Sequence, residues 1–404
     1  MIRTASVLRL VAVLVAILAG SAVQAQITVT PRGDAASLDI AAWNVEFYGE
    51  PSQGPNDAVQ AERVQAVLER SGIDFWALEE VVSTSGFNAL LAAIADDGYA
   101  GILGPNVSSD PVFNQRLAFI YRTSVVTPVG APRTVVSSTN FGGRAPLELT
   151  ANVTLGGVTR QVRFIAIHAK ALSDLDSYNK RVAGAAQLKT YVDGLIAQGI
   201  PVVVMGDFND ELTTSIAGGR PSPYADFVSD ADYTFATQRL NDQNIATYCS
   251  NASCSSGSTL DHIMIGGGAI TGYVAGSGDR YGELLTGITQ YTATTSDHLP
   301  VLARFSVAAV ADEEEAAAGT VALSPAAPSP FRTGTTLRFT LAEASDVSID
   351  VLDLLGRTVA HVGGAYGAGE HRVALDGTGL AAGVYRVRLR AGGAERVQTV
   401  IRAR

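Results

Sequence analysis

The stretch Ile200-Pro-Val-Val-Val-Met-Gly-Asp-Phe-Asn-Asp210 most narrows what this chain can become. The apolar run Val202–Met205, with Ile200 before the proline, reads as a short, fully buried strand. Gly206 lets the backbone turn, so Asp207 and Asn209 emerge together at the strand's end. With Phe208 between them, their side chains point the same way. A carboxylate beside an amide can orient a water and hold a phosphate oxygen or a metal. Taken alone, Gly-Asp-x-Asn is a weak signal and reads sooner as a bland polar turn. Its weight depends on what stands at the other strand ends.

A chain of 404 residues suits one large domain plus one small. With 47% hydrophobic and 17% charged residues, it can bury a sizeable core, and global disorder is excluded. Arg3 and Arg9, the apolar run Leu10–Ala19, and Val23-Gln-Ala25 form a basic region, a hydrophobic core and a small-residue cleavage site. Residues 1–25 are therefore read as a secretory signal peptide, which makes the mature protein secreted, extracellular or on the cell surface. That run is too short to span a membrane comfortably, and no later segment is longer, so no stable membrane insertion is expected. In an oxidising compartment Cys249 and Cys254 are expected to form a disulfide that pins a polar loop. Neither has a further Cys or His nearby to complete a metal site.

Charge is unevenly divided. Residues 26–308 hold 17 Lys+Arg against 28 Asp+Glu, whereas residues 325–404 hold 10 Arg against 7 acids. So acidic a domain does not attract a polyanion by general electrostatics, and a phosphodiester substrate would need cations placed at the site.

Along the chain, Leu38–Trp43 reads as a strand with Asn44-Val-Glu46 at its end. A helix capped at Asn56 or Asp57 runs to about Arg70 and stops at Gly72. Ile73–Leu78 is a strand ending in Glu79-Glu80, and a helix follows around Phe87, Leu90, Leu91 and Ile94. Leu117–Tyr121 is a strand flanked by Arg116 and Arg122. Residues 147–168 form a hairpin turning at Gly156-Gly157, its second strand ending in His168. The strongest helical pattern, Tyr178, Val182, Ala185, Leu188, Val192, Leu195 and Ile196, spans about 177–197. Leu260–Ile265 and Leu299–Val307 read as a last strand pair, with Ser296-Asp-His298 entering the second. Residues 309–324, with Asp312-Glu-Glu-Glu315 among alanines, are an acidic linker. Beyond it, runs such as Val347, Ile349, Val351 and Tyr385, Val387, Leu389 alternate with polar residues, which suggests a small β-sandwich over 325–404.

Asn44, Glu46, Glu80, His168, Asp207, Asn209, Asp261, Asp297 and His298 all lie at or next to strand ends, and three of the five histidines fall among these stretches. A sheet that delivers carboxylates, amides and imidazoles to one rim can build a metal-assisted hydrolytic site. The motifs Trp43-Asn-Val-Glu46, Leu78-Glu-Glu-Val81, Ile165-Ala-Ile-His-Ala-Lys170, Met205-Gly-Asp-Phe-Asn209, Leu260-Asp-His262 and Ser296-Asp-His-Leu-Pro300 resemble, in order, those of the endonuclease/exonuclease/phosphatase superfamily. The resemblance covers roughly residues 36–308, the expected catalytic domain. It implies an α+β fold, a four-layer α/β/β/α sandwich like that of pancreatic deoxyribonuclease, ahead of the small all-β sandwich.

Carried over residue by residue, the resemblance makes Glu80 the principal ligand of Mg2+ or Mn2+, with Asn44 beside it, Asp297 contributing and Glu46 near the cluster. Ca2+ is a further option as a structural ion. Asp207 and Asn209 would orient the attacking water and the phosphate, His298 would contact the phosphate with Asp261 orienting it, and His168 would be the general acid. Arg116 and Arg181 are candidate phosphate contacts, with surface ion pairing as the alternative for each. Glu79 stands where the family often has glutamine, and His262 is read as structural.

Ser329-Pro-Phe331, Leu354-Leu-Gly-Arg357, Gly383-Val-Tyr385 and Arg396–Arg404 resemble the sorting domain of type IX secretion, with Ser329 replacing the common asparagine. The secretion machinery would then be a partner, and His361 and His371 receive no functional role. The expected protein is a monomeric, secreted, metal-dependent phosphodiesterase, a nuclease with nucleic acid as substrate. Two readings stay beside it: a phosphatase or phospholipid or inositol-phosphate phosphodiesterase of the same superfamily, and a catalytically silent surface-binding protein.

Overall fold

A computed structural model describes residues 27–267, 272–306, 321–327, 331–353 and 357–403. The expected signal peptide, residues 309–320 of the acidic linker, Ser329 and Leu354-Leu-Gly356 lie outside the described residues, and residues 321–324, expected as the linker's end, are strand instead.

Up to residue 306 the described strands are β1 (Ser37–Tyr48), β2 (Phe75–Val81), β3 (Tyr99–Leu103), β4 (Arg116–Arg122), β5 (Val126–Pro128), β6 (Arg133–Thr134), β7 (Leu147–Leu155), β8 (Val158–His168), β9 (Val202–Asp207), β10 (Tyr233–Phe235), β11 (Tyr248–Cys249), β12 (Gly257–Ser258), β13 (Asp261–Gly266), β14 (Asp279–Arg280) and β15 (Val301–Ser306). Two mixed sheets hold most of them. One runs β14-β15-β1-β2-β4-β3 and the other β10-β13-β9-β8-β7-β5, with β6 on β7. Only β1/β2 and β8/β9 pair in parallel, and each parallel pair is joined by a crossover helix. These helices are α1 (Asp57–Ser71) and α3 (Leu175–Ile196), while α2 (Thr84–Ile94) follows β2.

The layers follow from which faces are apolar. Phe75, Phe119, Phe164, Met205 and Ile263 fill the space between the sheets. Trp43, Trp76 and Leu78 meet Val64, Val67 and Leu68 of α1 and Phe87 and Leu90 of α2 on one outer face. Ile165, Ile167 and Val204 meet Leu188, Val192 and Leu195 of α3 on the other. The result is the expected four-layer α/β/β/α sandwich.

Helix starts follow side-chain capping. Asn56 accepts from the Val59 N–H, and Asp174 accepts from Ser177, so α3 begins two residues earlier than its apolar pattern. Two expectations are corrected. Leu260–Ile265 and Leu299–Val307 are not partners: β13 pairs with β9, and β15 pairs with β1 in the opposite sheet. Both are apolar runs facing the same inter-sheet core, which the sequence cannot distinguish from direct pairing. On α3, Val182 is exposed and Arg181 is the buried neighbour, because an ion-pair partner lies beneath it.

The C-terminal module is all-β. Strands β16 (Val321–Ala327), β17 (Gly334–Leu341) and β20 (Gly369–Asp376) form one sheet. Strands β19 (Thr358–Tyr366), β18 (Ser345–Leu352), β21 (Gly383–Ala391) and β22 (Ala394–Arg402) form the other. Leu337, Phe339, Val347, Ile349, Val387 and Leu389 pack between them, so the alternation read from the sequence is the core alternation. Among the described residues, no helix is long and apolar enough to cross a membrane.

Candidate active site

Register alone assembles the site. Parallel pairing of β8 with β9 sets His168 beside Asp207, and antiparallel pairing of β9 with β13 sets Asp207 beside Asp261. In the other sheet, Asn44 of β1 lies opposite Glu79 of β2. The β1/β2 ladder then shifts between Asn44 and Tyr48, and the β2/β4 ladder between Leu78 and Val81. Such bulges re-aim side chains at a rim. Glu46, Phe47, Glu80 and Asn209, none of them glycine, have φ of 45°, 50°, 62° and 51°. Backbone strain of this kind, costing about 1–3 kcal/mol per residue, tends to collect at functional sites. Gly206 does not turn the chain as expected; it continues β9 at φ 139°. A Cβ there would sit 2.1 Å from the Ile167 carbonyl and 2.9 Å from Glu79 Oε1, so glycine admits both neighbours.

The side chains converge. Asn44 Nδ2 donates to Glu80 Oε1 (3.2 Å) and Asp207 Oδ2 (3.1 Å). Glu80 Oε2 accepts from the Phe47 N–H, and Asp207 Oδ1 from the Asn209 N–H. Asn209 Nδ2 donates to the Ala169 carbonyl. His168 Nε2 lies 3.5 Å from Asp207 Oδ2 and 3.8 Å from Glu80 Oε1. His298 Nδ1 lies 2.8 Å from Asp261 Oδ2, while its Nε2 lies 3.9 Å from Asp207 and 4.0 Å from Asp297. Glu46 Oε2 accepts from the Asp297 N–H. The structure thus brings Asn44, Glu80, His168, Asp207, Asn209, Asp261, Asp297 and His298 together.

Burial and like charge tune these groups. Burial, with Asp261 adding, pushes Asp207 up to about 7 against the pull of His298. Burial and then Asp297 push Glu46 up to about 7. Burial also raises Glu80, and it raises Glu79 well above the carboxylate range with Asp261 and Asp207 adding. The imidazoles diverge. Burial, then Arg144 and His298, hold His168 well below its ordinary value. Burial would lower His298 too, but Asp261, Asp207 and Asp297 carry it well above. His262, read as structural, is buried between Thr237 Oγ1 (3.0 Å) and the Asp210 carbonyl (3.2 Å).

Arg116 and Arg181 have other occupations than the expected phosphate contacts. Arg116 is buried and donates to the Val81 and Val82 carbonyls and to Thr84, bracing the backbone just past Glu80. Arg181 is fully buried, paired with Asp210 at 2.8 Å and donating to the Lys170 and Leu172 carbonyls. Both guanidinia are engaged by protein groups, with Arg181 Nη2 alone among their nitrogens lacking a partner among the described residues. A cation at the rim that sequence reasoning missed is Arg144. Its guanidinium donates to the His168 and Ala169 carbonyls and to Gln115, and Glu80 and Asp207 are the charges it feels. Nothing in Gly142-Gly143-Arg144 sets it apart from any other loop arginine. Cys249 and Cys254 form the expected disulfide, and the Cys249 N–H donates to the Asp297 carbonyl.

A family model described as the endonuclease/exonuclease/phosphatase family matches residues 41–298, and one described as a secretion system C-terminal sorting domain matches residues 326–402. A solved endonuclease/exonuclease/phosphatase from Beutenbergia cavernae is 18% identical, with a TM-score of 0.52 over 90% of this chain and 100% of that one. The human Nocturnin catalytic domain with bound sulfate is 18% identical (TM-score 0.48; 68% of this chain, 96% of that one). Humanized D. rerio TDP2 is 16% identical (TM-score 0.46; 67% and 99%). No curated protein matches the sequence. The Beutenbergia likeness supports the fold.

Proposed function

The chain belongs to the endonuclease/exonuclease/phosphatase family, whose members are hydrolases of phosphate esters, and from that premise we propose that it is a divalent-metal-dependent phosphodiesterase acting on DNA or RNA. The sorting domain indicates secretion by the type IX route, so the substrate is met outside the cell. The observation that carries the reading is the meeting of Glu80, Asp207, His168 and His298 within hydrogen-bonding or ion-pair reach at one rim.

The donor set fits a hard divalent cation. Glu46, Glu80, Asp207 and Asp297 converge with the Asn44 amide, and no Lys or Arg among the described residues is hydrogen-bonded to any of these carboxylates. The four carboxylates offer oxygen, as Mg2+ and Mn2+ prefer, whereas Asn44 turns Nδ2 to two of them and its Oδ1 accepts from the Glu46 N–H. Asp207, Asp261 and His298 also present ligand atoms within 4.8 Å of one another. Glu80 with Asn44 would hold the ion, with Asp297 contributing. A cation there would supply positive charge to the phosphate and lower the pKa of an attacking water.

The remaining chemistry belongs to the chain. Asp207, fixed by the Asn209 N–H and the Asn44 amide, receives the proton of the water that attacks phosphorus. His298, with Asp261 behind Nδ1, neutralises the phosphate and protonates the departing oxygen. Among the described residues His168 has no partner on Nδ1, and burial lowers its pKa, so in this reading it contributes a donor from Nε2 rather than a proton. This exchanges the general-acid role expected of His168. Arg144 adds fixed positive charge at this rim, next to Glu80 and Asp207.

The acidity of residues 26–308 favours a second reading, a smaller phosphate ester with the same chemistry. A panel of plasmid DNA, RNA, phosphatidylcholine vesicles and inositol phosphates, assayed with Mg2+ and with Mn2+, tests the substrate. Turnover confined to the nucleic acids is expected, and turnover confined to lipid or inositol phosphate contradicts the nuclease reading.

A further inference from the structure

Asp261 and His298 form one pair, yet they arrive from opposite sheets: Asp261 opens β13, and His298 precedes β15. Something must hold the two backbones in step, and Thr247–Cys249 touches both. Thr247 is fully buried, and its Oγ1 accepts from the N–H groups of Leu260 (2.9 Å) and Asp261 (3.0 Å). Its carbonyl accepts from the Leu299 N–H at 2.8 Å. One residue therefore grips the chain at Asp261 with its side chain and the chain just past His298 with its backbone. Tyr248 adds a β-bridge to His298, with ring centroids 5.2 Å apart, and the Cys249 N–H donates to the Asp297 carbonyl at 2.8 Å. The far end of the segment is tied by the disulfide to Cys254, which is buried in the core beside Ala246.

We propose that Thr247 is the positioning residue of the Asp261–His298 pair, and that the Cys249–Cys254 disulfide keeps its segment clamped between the two strands. The inference rests on the phosphodiesterase reading above. Its chemistry is specific. A hydroxyl acceptor is required, and serine provides one, whereas valine keeps the shape and leaves two buried N–H groups without a partner. The loss would appear as misplacement of His298, because Thr247 itself meets no substrate. Misplacements of about 1 Å cost on the order of a hundredfold in rate.

The experiment uses the full chain with Mg2+ and a fluorophore–quencher DNA oligonucleotide, whose departing alkoxide needs the proton that His298 delivers. Thr247→Val is expected to lower kcat by about ten- to a hundredfold at nearly constant KM, with Thr247→Ser close to the parent. In a His298→Ala background, Thr247→Val should add less than about a twofold loss, because the group it positions is gone. Parental kcat in Thr247→Val, or an equal fold-loss in both backgrounds, overturns the proposal. Should Thr247→Val fail to fold, the Cys249→Ser/Cys254→Ser variant releases the same segment and takes the same cycle, with parental kcat again overturning it. The two levels separate cleanly. If His298→Ala matches the parent, the phosphodiesterase mechanism itself fails; if it is slowed but still measurable while Thr247→Val is fully active, only the clamp fails.

Discussion

Asp261 Oδ2 lies 2.8 Å from His298 Nδ1, joining two sheets at the rim where they meet. A buried carboxylate behind an imidazole fixes its tautomer and stabilises its protonated form. Asp261→Asn keeps the shape and removes the charge. We expect kcat to fall by about 10²- to 10⁴-fold with little change in KM, read by steady-state kinetics on a phosphodiester. A change in KM alone would mean that the pair binds substrate but does not act in the chemical step.

Arg144 and Arg181 should respond oppositely. Arg181 is buried against Asp210, so Arg181→Ala leaves a buried carboxylate uncompensated and should cost about 3–5 kcal/mol of stability. Arg144 braces the rim and faces the carboxylates, so Arg144→Ala should lower kcat/KM with a much smaller effect on stability. Urea unfolding and kinetics on both variants check the contrast.

His262 contributes stability that is lost on acidification. Burial lowers its pKa to about 4 in the folded chain, while in the unfolded chain it returns to about 6.5. Above 6.5 both states are neutral and the contribution is intact. Between 6.5 and 4 only the unfolded chain gains the proton, so folding weakens progressively, by up to about 3 kcal/mol at pH 4. Asp207 and Glu46, raised to about 7, gain stability over the same window, so the His262 share is read by comparing urea midpoints of the metal-free parent and His262→Asn at pH 7.5 and pH 4.5. His262→Asn should be less stable at pH 7.5 and should lose less between the two pH values.

Much of the site was legible because strand ends carry sequence marks. A polar residue straight after an apolar run, as at Glu80, His168 and Asp207, is a rim residue wherever the run is a central strand. What could not be read was partnership. The runs beginning at Asp261 and Val301 look alike, and only the folded chain puts them in different sheets. The apolar period of α3 fits Val182 inside, but a single buried partner, Asp210, rotates Arg181 inward instead. Arg144 and Thr247 act through backbone groups brought close by folding, and such contacts leave no local pattern. Both His168 and His298 stand out as strand-end residues, but their protonation depends on the charges facing each, and that is a property of three dimensions.

Hydrolysis of bis(p-nitrophenyl) phosphate by the parent and by Glu80→Ala, each with Mg2+ and with chelator, tests the central claim most directly. The parent should turn over only with the metal and should gain thermal stability from it, and Glu80→Ala should lose both responses. A Glu80→Ala variant as active and as metal-stabilised as the parent, or a parent indifferent to the metal, would contradict it.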